Sequence, residues 1–215
     1  MKFKIVSLFV LCAILISCGT SRQGGKKQRK GTKAQVVLTP EQQRKYDYFF
    51  LEASRLKMKD DYSAAFDLLQ HCLTINPNAS SALYEISQYY MYLKQVPQGQ
   101  AALEKAVEND PDNYWYSQGL ASLYQQQNEM QKATNLLESM ATRFSDRMDP
   151  LYSLLDIYNR LEEYDNVITT LNRLEEKMGK NEQLSMEKFR IYLQKKDNQS
   201  AFREIESLVE EYPMD

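Results

Sequence analysis

The stretch 46–79, YDYFFLEASRLKMKDDYSAAFDLLQHCLTINPNA, sets a pattern that the rest of the chain repeats. The next stretch, 80–113, reads SSALYEISQYYMYLKQVPQGQAALEKAVENDPDN and keeps small, aliphatic and proline residues at the same positions. The turns Asn76-Pro77 and Asp110-Pro111 are 34 residues apart, and Pro213 falls in the same phase three periods later. Self-similarity at a fixed period of this length predicts a solenoid, in which each repeat packs on its neighbours.

Four columns keep this register through five periods. The residue twelve positions before the turn is small in most periods: Ala65, Gly99, Ala133, Val167 and Ala201. An aliphatic residue precedes it by eight: Leu69, Leu103, Leu137, Leu171 and Ile205. A small or slim residue precedes it by five: Cys72, Ala106, Met140, Leu174 and Leu208. An aromatic residue or leucine precedes it by 21: Leu56, Tyr90, Tyr124, Tyr158 and Tyr192.

These columns, with a proline at the exit of the repeat, resemble tetratricopeptide (TPR) repeats. The resemblance covers residues 39–215 and implies an all-α superhelical solenoid of about five helix-turn-helix repeats. The repeats fall at about 46–79, 80–113, 114–147, 148–181 and 182–215. Second helices are expected to open at Asp61-Tyr62 and Glu163-Tyr164. In the second period the pattern predicts helices over 81–93 and 97–108, with Pro97 at a helix start.

The sequence departs from the repeat pattern at four positions. Gly99 and Val167 stand where the family prefers alanine, so we expect a looser seam there. Ser145 and Gly179 replace the turn proline, and glycine can supply the positive φ that ends a helix. We therefore expect softened corners in the third and fourth periods.

The N-terminus has the organisation of a bacterial lipoprotein leader. Lys2 and Lys4 precede an apolar run over 5–16, which is too short to span a bilayer but suits a secretory signal. The tetrapeptide Leu15-Ile16-Ser17-Cys18 resembles the lipobox, which implies cleavage before Cys18 and attachment of lipid, palmitate included, to that residue. An ordinary signal peptide with an incidental cysteine is the alternative. Residues 1–17 are thus predicted as the signal peptide, and 18–38 as the lipidated cysteine and a flexible basic linker.

The residues after Cys18 bear on location. Gly19 lacks the acidic signal that favours inner-membrane retention, and no acidic residue lies nearby, which implies the outer membrane with the protein facing the periplasm. The linker carries six positive charges over 19–38. It either serves as a solvated spacer or is attracted to anionic headgroups, at about 1 kcal/mol per basic residue near the surface. Thr39 and Gln42 form a capping-box pattern that predicts a helix beginning at Pro40.

Charge and cysteine usage exclude some classes of function. All 29 acidic residues lie in 41–215, where they face 19 basic residues and leave a net charge of −10. An acidic body disfavours nucleic-acid binding, which needs clustered Lys and Arg. Cys12 lies in the run expected to be removed, and Cys72 falls in a packed column, which predicts a buried free thiol. No disulfide framework is indicated.

In the family, the first helix of each pair lines the concave face. That resemblance implies a partner-binding groove rich in aromatic and amide side chains, with an ionic C-terminal half. Its residues are Phe50, Ser54, Tyr84, Gln88, Tyr92, Trp115, Gln118, Ser122, Gln125, Tyr152, Asp156, Asn159, Arg160, Met186 and Arg190. Exposed Trp and Tyr are frequent in binding hot spots. Gly119, one turn beyond Trp115, is expected to leave a notch beside the indole.

Other sites find little support in the sequence. Some TPR proteins bind the C-terminal carboxylate of cytosolic chaperones with Lys, Asn and Arg on the concave face. At the matching positions this chain has Phe50, Ser54, Glu85, Trp115 and Gly119, so the resemblance does not imply that carboxylate clamp. His71 is the single histidine and is expected to be exposed, so a multi-histidine metal site is excluded. The pairs Glu162-Glu163 and Glu175-Glu176 are interpreted as solvated helix faces. We expect no catalysis, metal or cofactor.

The leading hypothesis is a membrane-anchored TPR adaptor that binds a protein or peptide partner in the cell envelope. The fifth period ends at Pro213 without a following polar helix, which TPR arrays usually carry. The final helix, expected over 200–211, therefore meets a partner, or the chain is the N-terminal array of a longer envelope protein. A further alternative is a structural, self-associating lipoprotein similar in architecture to barrel- or pilus-assembly lipoproteins.

Overall fold

A computed structural model describes residues 37–212, and within this range the chain forms ten α-helices and no strand. They are α1 Pro40–Lys57, α2 Tyr62–Ile75, α3 Ser80–Tyr92, α4 Val96–Asn109, α5 Tyr114–Gln126, α6 Met130–Arg143, α7 Asp149–Arg160, α8 Tyr164–Met178, α9 Glu182–Gln194 and α10 Asn198–Glu211. Each helix packs against the next along the chain, so five pairs stack in sequence order. The all-α solenoid is confirmed.

The predicted helix starts agree closely with these bounds. Thr39 Oγ1 accepts from the Gln42 amide at 3.2 Å, and the Thr39 amide donates to Gln42 Oε1 at 2.9 Å. This capping box begins α1 at Pro40, as predicted. Asp61 and Glu163 are the N-caps of α2 and α8, also as predicted. Pro97 lies one residue inside α4, in the first turn, where a missing N–H costs no helical bond.

The turn inside every pair is the same. One non-glycine residue per repeat has a φ between 56° and 63°: Asp60, Lys94, Asn128, Glu162 and Lys196. The next amide then donates back to a carbonyl five residues earlier, as from Gln95 to Tyr90 at 2.8 Å and from Glu129 to Tyr124 at 2.8 Å. This is the Schellman arrangement, which satisfies carbonyls at the helix end. The columns at positions 56, 90, 124, 158 and 192 thus also mark where the first helices stop.

The small-residue columns form the seams between helices. Ala65, Ala133, Val167 and Ala201 are fully buried, and the aliphatic columns pack around them. Cys72 is a buried free thiol, as predicted, and burial raises its pKa to about 11. Such a thiol is unreactive near neutral pH.

The expectation that Gly99 loosens its seam is wrong. A Cβ at Gly99 would lie 2.6 Å from Met91 Cε and 3.1 Å from the Ser87 carbonyl oxygen. The glycine therefore allows α3 and α4 to approach closely, and the Met91 side chain occupies the space of the missing methyl group. Gly179 has a φ of 80° and caps α8, which agrees with the predicted role of a glycine at that turn.

Tyrosines also connect successive repeats through hydrogen bonds. The Tyr124 hydroxyl donates to Glu104 Oε1 at 2.8 Å, and the Tyr158 hydroxyl donates to Glu138 Oε1 at 3.2 Å. Each bond runs from a first helix to the second helix of the preceding pair. Burial, with the neighbouring Glu138 charge, raises the pKa of Tyr158 to about 12, so the hydroxyl remains a donor.

Tyr124→Phe is expected to lower the free energy of unfolding by about 1 kcal/mol, because the ring still packs but the bond to Glu104 is lost. Urea unfolding followed by circular dichroism measures this change. Tyr48→Phe is the control, since Tyr48 is 64% exposed and its hydroxyl makes no hydrogen bond between described residues. Equal effects of the two substitutions would show that the inter-repeat bond contributes nothing.

Candidate partner-binding face

We call the surface formed by the predicted partner-binding residues of α1, α3, α5, α7 and α9 the first-helix face. None of its members is buried. The exposed members are Ser54, Gln88, Tyr92, Trp115, Tyr152, Asp156, Arg160, Met186 and Arg190. The half-buried members are Phe50, Tyr84, Gln118, Ser122, Gln125 and Asn159. The repeat register therefore presents all of them outside the core, and their role in binding remains a prediction.

Tyr84 connects two first helices as well as facing outward. Its ring stacks on Tyr116 of α5 with a centroid distance of 4.8 Å. A Cβ at Gly119 would meet Tyr84 Cε2 at 3.6 Å, and Leu103 is the other side chain within contact distance. The Tyr84 ring therefore bounds the space over Gly119 at ordinary contact distance, and the notch beside the Trp115 indole stays a prediction. Tyr84 supports the face and offers only part of its ring to a partner.

Trp115 is the largest exposed ring of the described residues, with 63% of its surface accessible. The backbone amide of Trp115 donates to the side-chain oxygen of Asn113 at 3.1 Å. The indole packs edge-on against Tyr114 at 5.3 Å, and the Arg147 guanidinium lies 5.6 Å from its ring centre. Arg147 sits closer to the Tyr114 ring, at 4.0 Å. These two contacts support the indole and leave most of its surface accessible.

The C-terminal half of the face is more ionic, as predicted. Asp156 and Arg160 form an ion pair of 3.9 Å along α7, and Arg190 pairs with Glu187 on α9. Tyr152 is 48% exposed, and its hydroxyl donates to Met178 Sδ at 3.4 Å. The face therefore changes along its length from aromatic and amide groups to paired charges.

A cavity of 440 Å³ lies at the junction of the first two repeats. Lys57, Tyr62, Gln88, Tyr89 and Tyr92 line it. Gln88 and Tyr92 were predicted as binding residues, whereas the other three were missed. Tyr89 could have been found from the sequence, because it is a polar residue in a column that is otherwise aliphatic in the later repeats. The matching residues there are Leu123, Ile157 and Ile191.

An ionic cluster is buried where α8, α9 and α10 meet. The Lys188 side chain is 2% exposed and donates to Glu175 Oε2 at 2.6 Å, with Glu204 Oε1 3.8 Å away. Lys180 lies 3.0 Å from Glu204 and 3.7 Å from Glu175. Burial alone would raise the pKa of Glu204, but the hydrogen bond from Lys180 and the charges of Lys180 and Lys188 hold it below its ordinary value.

The Lys188 cluster differs in part from the prediction. Glu175 was taken as a solvated carboxylate, yet it is half-buried and bound to Lys188, because its helix turns it toward α9. Glu162, Glu163 and Glu176 are exposed, as expected. The missed signal was Lys188 itself, which stands in a column occupied by Ile86, Leu120 and Leu154 in the preceding repeats.

The other candidate residues of the sequence form no site within the described residues. His71 is exposed on α2, as predicted, with its ring 5.5 Å from that of Phe49. Between residues 37 and 212, no three His, Cys, Asp or Glu side chains gather as metal ligands would. Over the same range, each helix is too short or too polar to cross a membrane. The signal peptide, Cys12, Cys18, the linker up to residue 36 and Pro213 lie outside the described residues.

Comparison with known proteins agrees with this geometry. A tetratricopeptide-repeat family model matches residues 80–113, the second repeat. Comparison with the curated proteins gives no match. A crystal structure of the MamA protein superposes with a TM-score of 0.57 at 17% identity, covering 80% of this chain and 98% of that one.

Two further solved structures have the same architecture. A tetratricopeptide repeat protein from Parabacteroides merdae has a TM-score of 0.58 and 16% identity, over 80% of this chain and 68% of that one. YrrB, described as a TPR protein with an unusual peptide-binding site, has a TM-score of 0.54 and 13% identity, over 77% and 85%. At these identities the similarity is one of fold.

Proposed function

Because this chain is a tetratricopeptide-repeat solenoid, we propose that it is a non-catalytic adaptor that holds a protein or peptide partner on its first-helix face. The observation that carries this proposal is the unburied state of every predicted binding residue on five successive first helices. A folded chain normally leaves few large apolar side chains exposed in one region, and such patches commonly mark interaction sites.

The chemistry of the face supports a polypeptide partner. Trp115, Tyr92 and Tyr152 offer large rings with polar tips, which is the side-chain type that dominates binding hot spots. Gln88, Gln118 and Gln125 offer amides that can bond the backbone of an extended segment. The helices order these groups before binding, so association costs little reorganisation. The peptide-binding site ascribed to YrrB is in line with this use of the fold.

Site-specific photo-cross-linking in intact cells tests the proposal. A photo-reactive amino acid is placed in turn at Tyr92, Trp115 and Tyr152, with His71 and Asn135 of the exposed second-helix surface as controls. We expect one polypeptide to be captured from the three test positions and not from the controls. Capture of lipid alone, or equal capture from His71 and Asn135, would contradict the proposal.

We further propose that the adaptor is a lipoprotein of the bacterial cell envelope, anchored in the outer membrane and facing the periplasm. The lipobox-like Leu15-Ile16-Ser17-Cys18 and the absence of acidic residues before Glu41 support this assignment. Multiple acyl chains on one cysteine would hold the protein firmly, since each buried CH₂ contributes about 0.8 kcal/mol. The basic linker would separate the solenoid from the lipid surface.

Cys18→Ala is expected to move the protein from the membrane fraction to the soluble fraction or to leave an uncleaved precursor. The physical reason is that the acyl chains have no other point of attachment. Fractionation and intact-mass measurement of the wild-type and variant proteins check this outcome. Cys72→Ala is the matched control, because its buried thiol cannot accept lipid in the folded protein. Unchanged fractionation of a Cys18→Ala protein that intact mass shows to be unacylated and without residues 1–17 would contradict the tether.

A second candidate function, self-association through the last repeat, is favoured by α10. Phe202 is 66% exposed and Val209 is 48% exposed on this helix. The matching column residue Leu208 is half-buried, whereas Leu174 of the preceding repeat is fully buried. Sedimentation of the purified protein at tens of micromolar tests self-association. A dimer that Phe202→Glu dissociates supports self-association, and a stable monomer excludes it.

A further inference from the structure

The cavity between the first two repeats has the size and composition of a ligand site. Its volume of 440 Å³ falls in the range of clefts that bind small ligands or single side chains. The end of α1, the start of α2 and the last turns of α3 enclose it. Because Gln88 and Tyr92 belong to the first-helix face, the cavity adjoins the surface proposed to hold the partner.

Tyr89 contributes a polar atom that the fold does not use. Tyr89 is 8% exposed, and its buried hydroxyl has no hydrogen-bond partner among residues 37–212. A buried hydroxyl without a partner destabilises the folded state. Burial is also the main cause that raises the pKa of Tyr89, so the group stays protonated and able to donate.

The other repeats show that this hydroxyl is not needed for packing. Leu123, Ile157 and Ile191 occupy the matching position in the third, fourth and fifth repeats, and all three are buried hydrocarbon side chains. Only the junction of the first two repeats combines three tyrosine rings at these positions. Departures from a consistent packing rule are expected at functional sites.

The charges around the cavity select a neutral occupant. Among the described residues that line the cavity, Lys57 alone is charged, and its ammonium donates to Glu85 Oε2 at 2.8 Å. The Tyr62 hydroxyl donates to Asp60 Oδ1 at 2.7 Å. A cationic ligand would meet Lys57, and an anionic ligand would approach Glu85 and Asp60. A neutral side chain with an aromatic body and one hydrogen-bonding oxygen fits these surroundings.

We propose that the cavity binds a tyrosine side chain of the partner, with its ring against Tyr62 and Tyr92 and its oxygen bonded to the Tyr89 hydroxyl. Offset and edge-to-face packing of aromatic rings suits the three tyrosines. The Tyr89 hydroxyl is buried in the free protein. The exposed ends of the Tyr92 and Lys57 side chains therefore move aside when the partner's tyrosine ring binds. This assignment rests on the proposed adaptor function and specifies what one part of the face recognises.

Titration of the full-length protein with N-acetyl-tyrosine amide and N-acetyl-phenylalanine amide tests the assignment. Nuclear magnetic resonance of ¹³C-labelled tyrosine rings reports binding. The tyrosine amide is expected to bind about tenfold more tightly, since the phenylalanine amide leaves the Tyr89 hydroxyl without a partner. Tyr89→Phe is expected to remove the preference. Equal binding of both amides, or no shift of the Tyr62, Tyr89 and Tyr92 signals, would overturn the proposal.

Two controls separate a binding role from a structural one. Tyr89→Phe should be at least as stable to urea as the wild type, and a loss of stability would mean that the hydroxyl serves the fold. Tyr92→Ala should weaken binding of the tyrosine amide several-fold, whereas Tyr48→Ala, at an exposed tyrosine of α1 outside the first-helix face, should not change it. If cross-linking captures a partner but the tyrosine amide does not bind, the cavity assignment alone fails and the adaptor function stands.

Discussion

Glu175→Leu is expected to destabilise the last repeats by about 3 kcal/mol, because it removes the closest partner of a buried ammonium. Lys188 is 2% exposed, and Glu175 lies 2.6 Å from it. Glu204 remains at 3.8 Å and offsets part of the loss, which places the effect near the lower end of the usual range for breaking a buried ion pair. Urea unfolding gives the total cost, and hydrogen exchange of α9 and α10 shows whether it is local.

Lys188→Met is the control that isolates the buried charge. The column carries Ile86, Leu120 and Leu154 in earlier repeats, so an apolar side chain fits the seam. We expect Lys188→Met alone to cost clearly less than Glu175→Leu, because the carboxylates that remain are partly exposed and keep Lys180 beside them. Added to Glu175→Leu, it should restore most of the lost stability. Additive effects of the two substitutions would show that the ion pair does not couple them.

Trp115→Ala is expected to weaken binding of the captured partner by about thirtyfold, which corresponds to about 2 kcal/mol. The indole is 63% exposed, and its ring contacts are those with Tyr114 and Arg147. Its removal should therefore change the free energy of unfolding by no more than about 0.5 kcal/mol. Affinity is measured by titration of the two purified proteins, and stability by urea unfolding.

Tyr48→Ala is the matched substitution for this experiment. Tyr48 is an aromatic residue with similar exposure, 64%, but it lies on α1 outside the first-helix face. It should leave the affinity unchanged. If both substitutions weaken binding alike, the effect follows from lost aromatic surface in general and the face has no special role.

The repeat register made most of the fold predictable. Columns such as Ala65, Leu69 and Cys72 recur at intervals that only paired helices can bury together, and they are buried as expected. The left-handed turn residue was not predictable, because Asp60, Lys94 and Glu162 have little in common as side chains. The shared turn follows from the length of the connection between the two helices of a pair and from the helix-end carbonyls that need hydrogen-bond donors. Both are properties of the backbone. The close approach of α3 and α4 at Gly99 depends on the packing of the Met91 side chain, which the repeat columns do not specify.

The candidate site was predictable in position but not in its contacts. Exposure of Trp115 and Tyr152 followed from the register. The packing of Tyr84 over Gly119 depends on side-chain direction across two repeats, which residue spacing does not specify. The cavity at Tyr89 and the cluster around Lys188 each arise from one polar residue in an otherwise apolar column. A column-by-column search for such exceptions would have located both.

Hydrogen–deuterium exchange of the full-length protein, with and without the captured partner, tests the central claim most directly. The account predicts slower exchange on binding in peptides from α3, α5 and α7, where the exposed rings and amides lie. Peptides from α4 and α6, and from α2 beyond its first turn, should exchange at unchanged rates. Protection confined to those second helices would place the partner on the opposite surface and contradict the account.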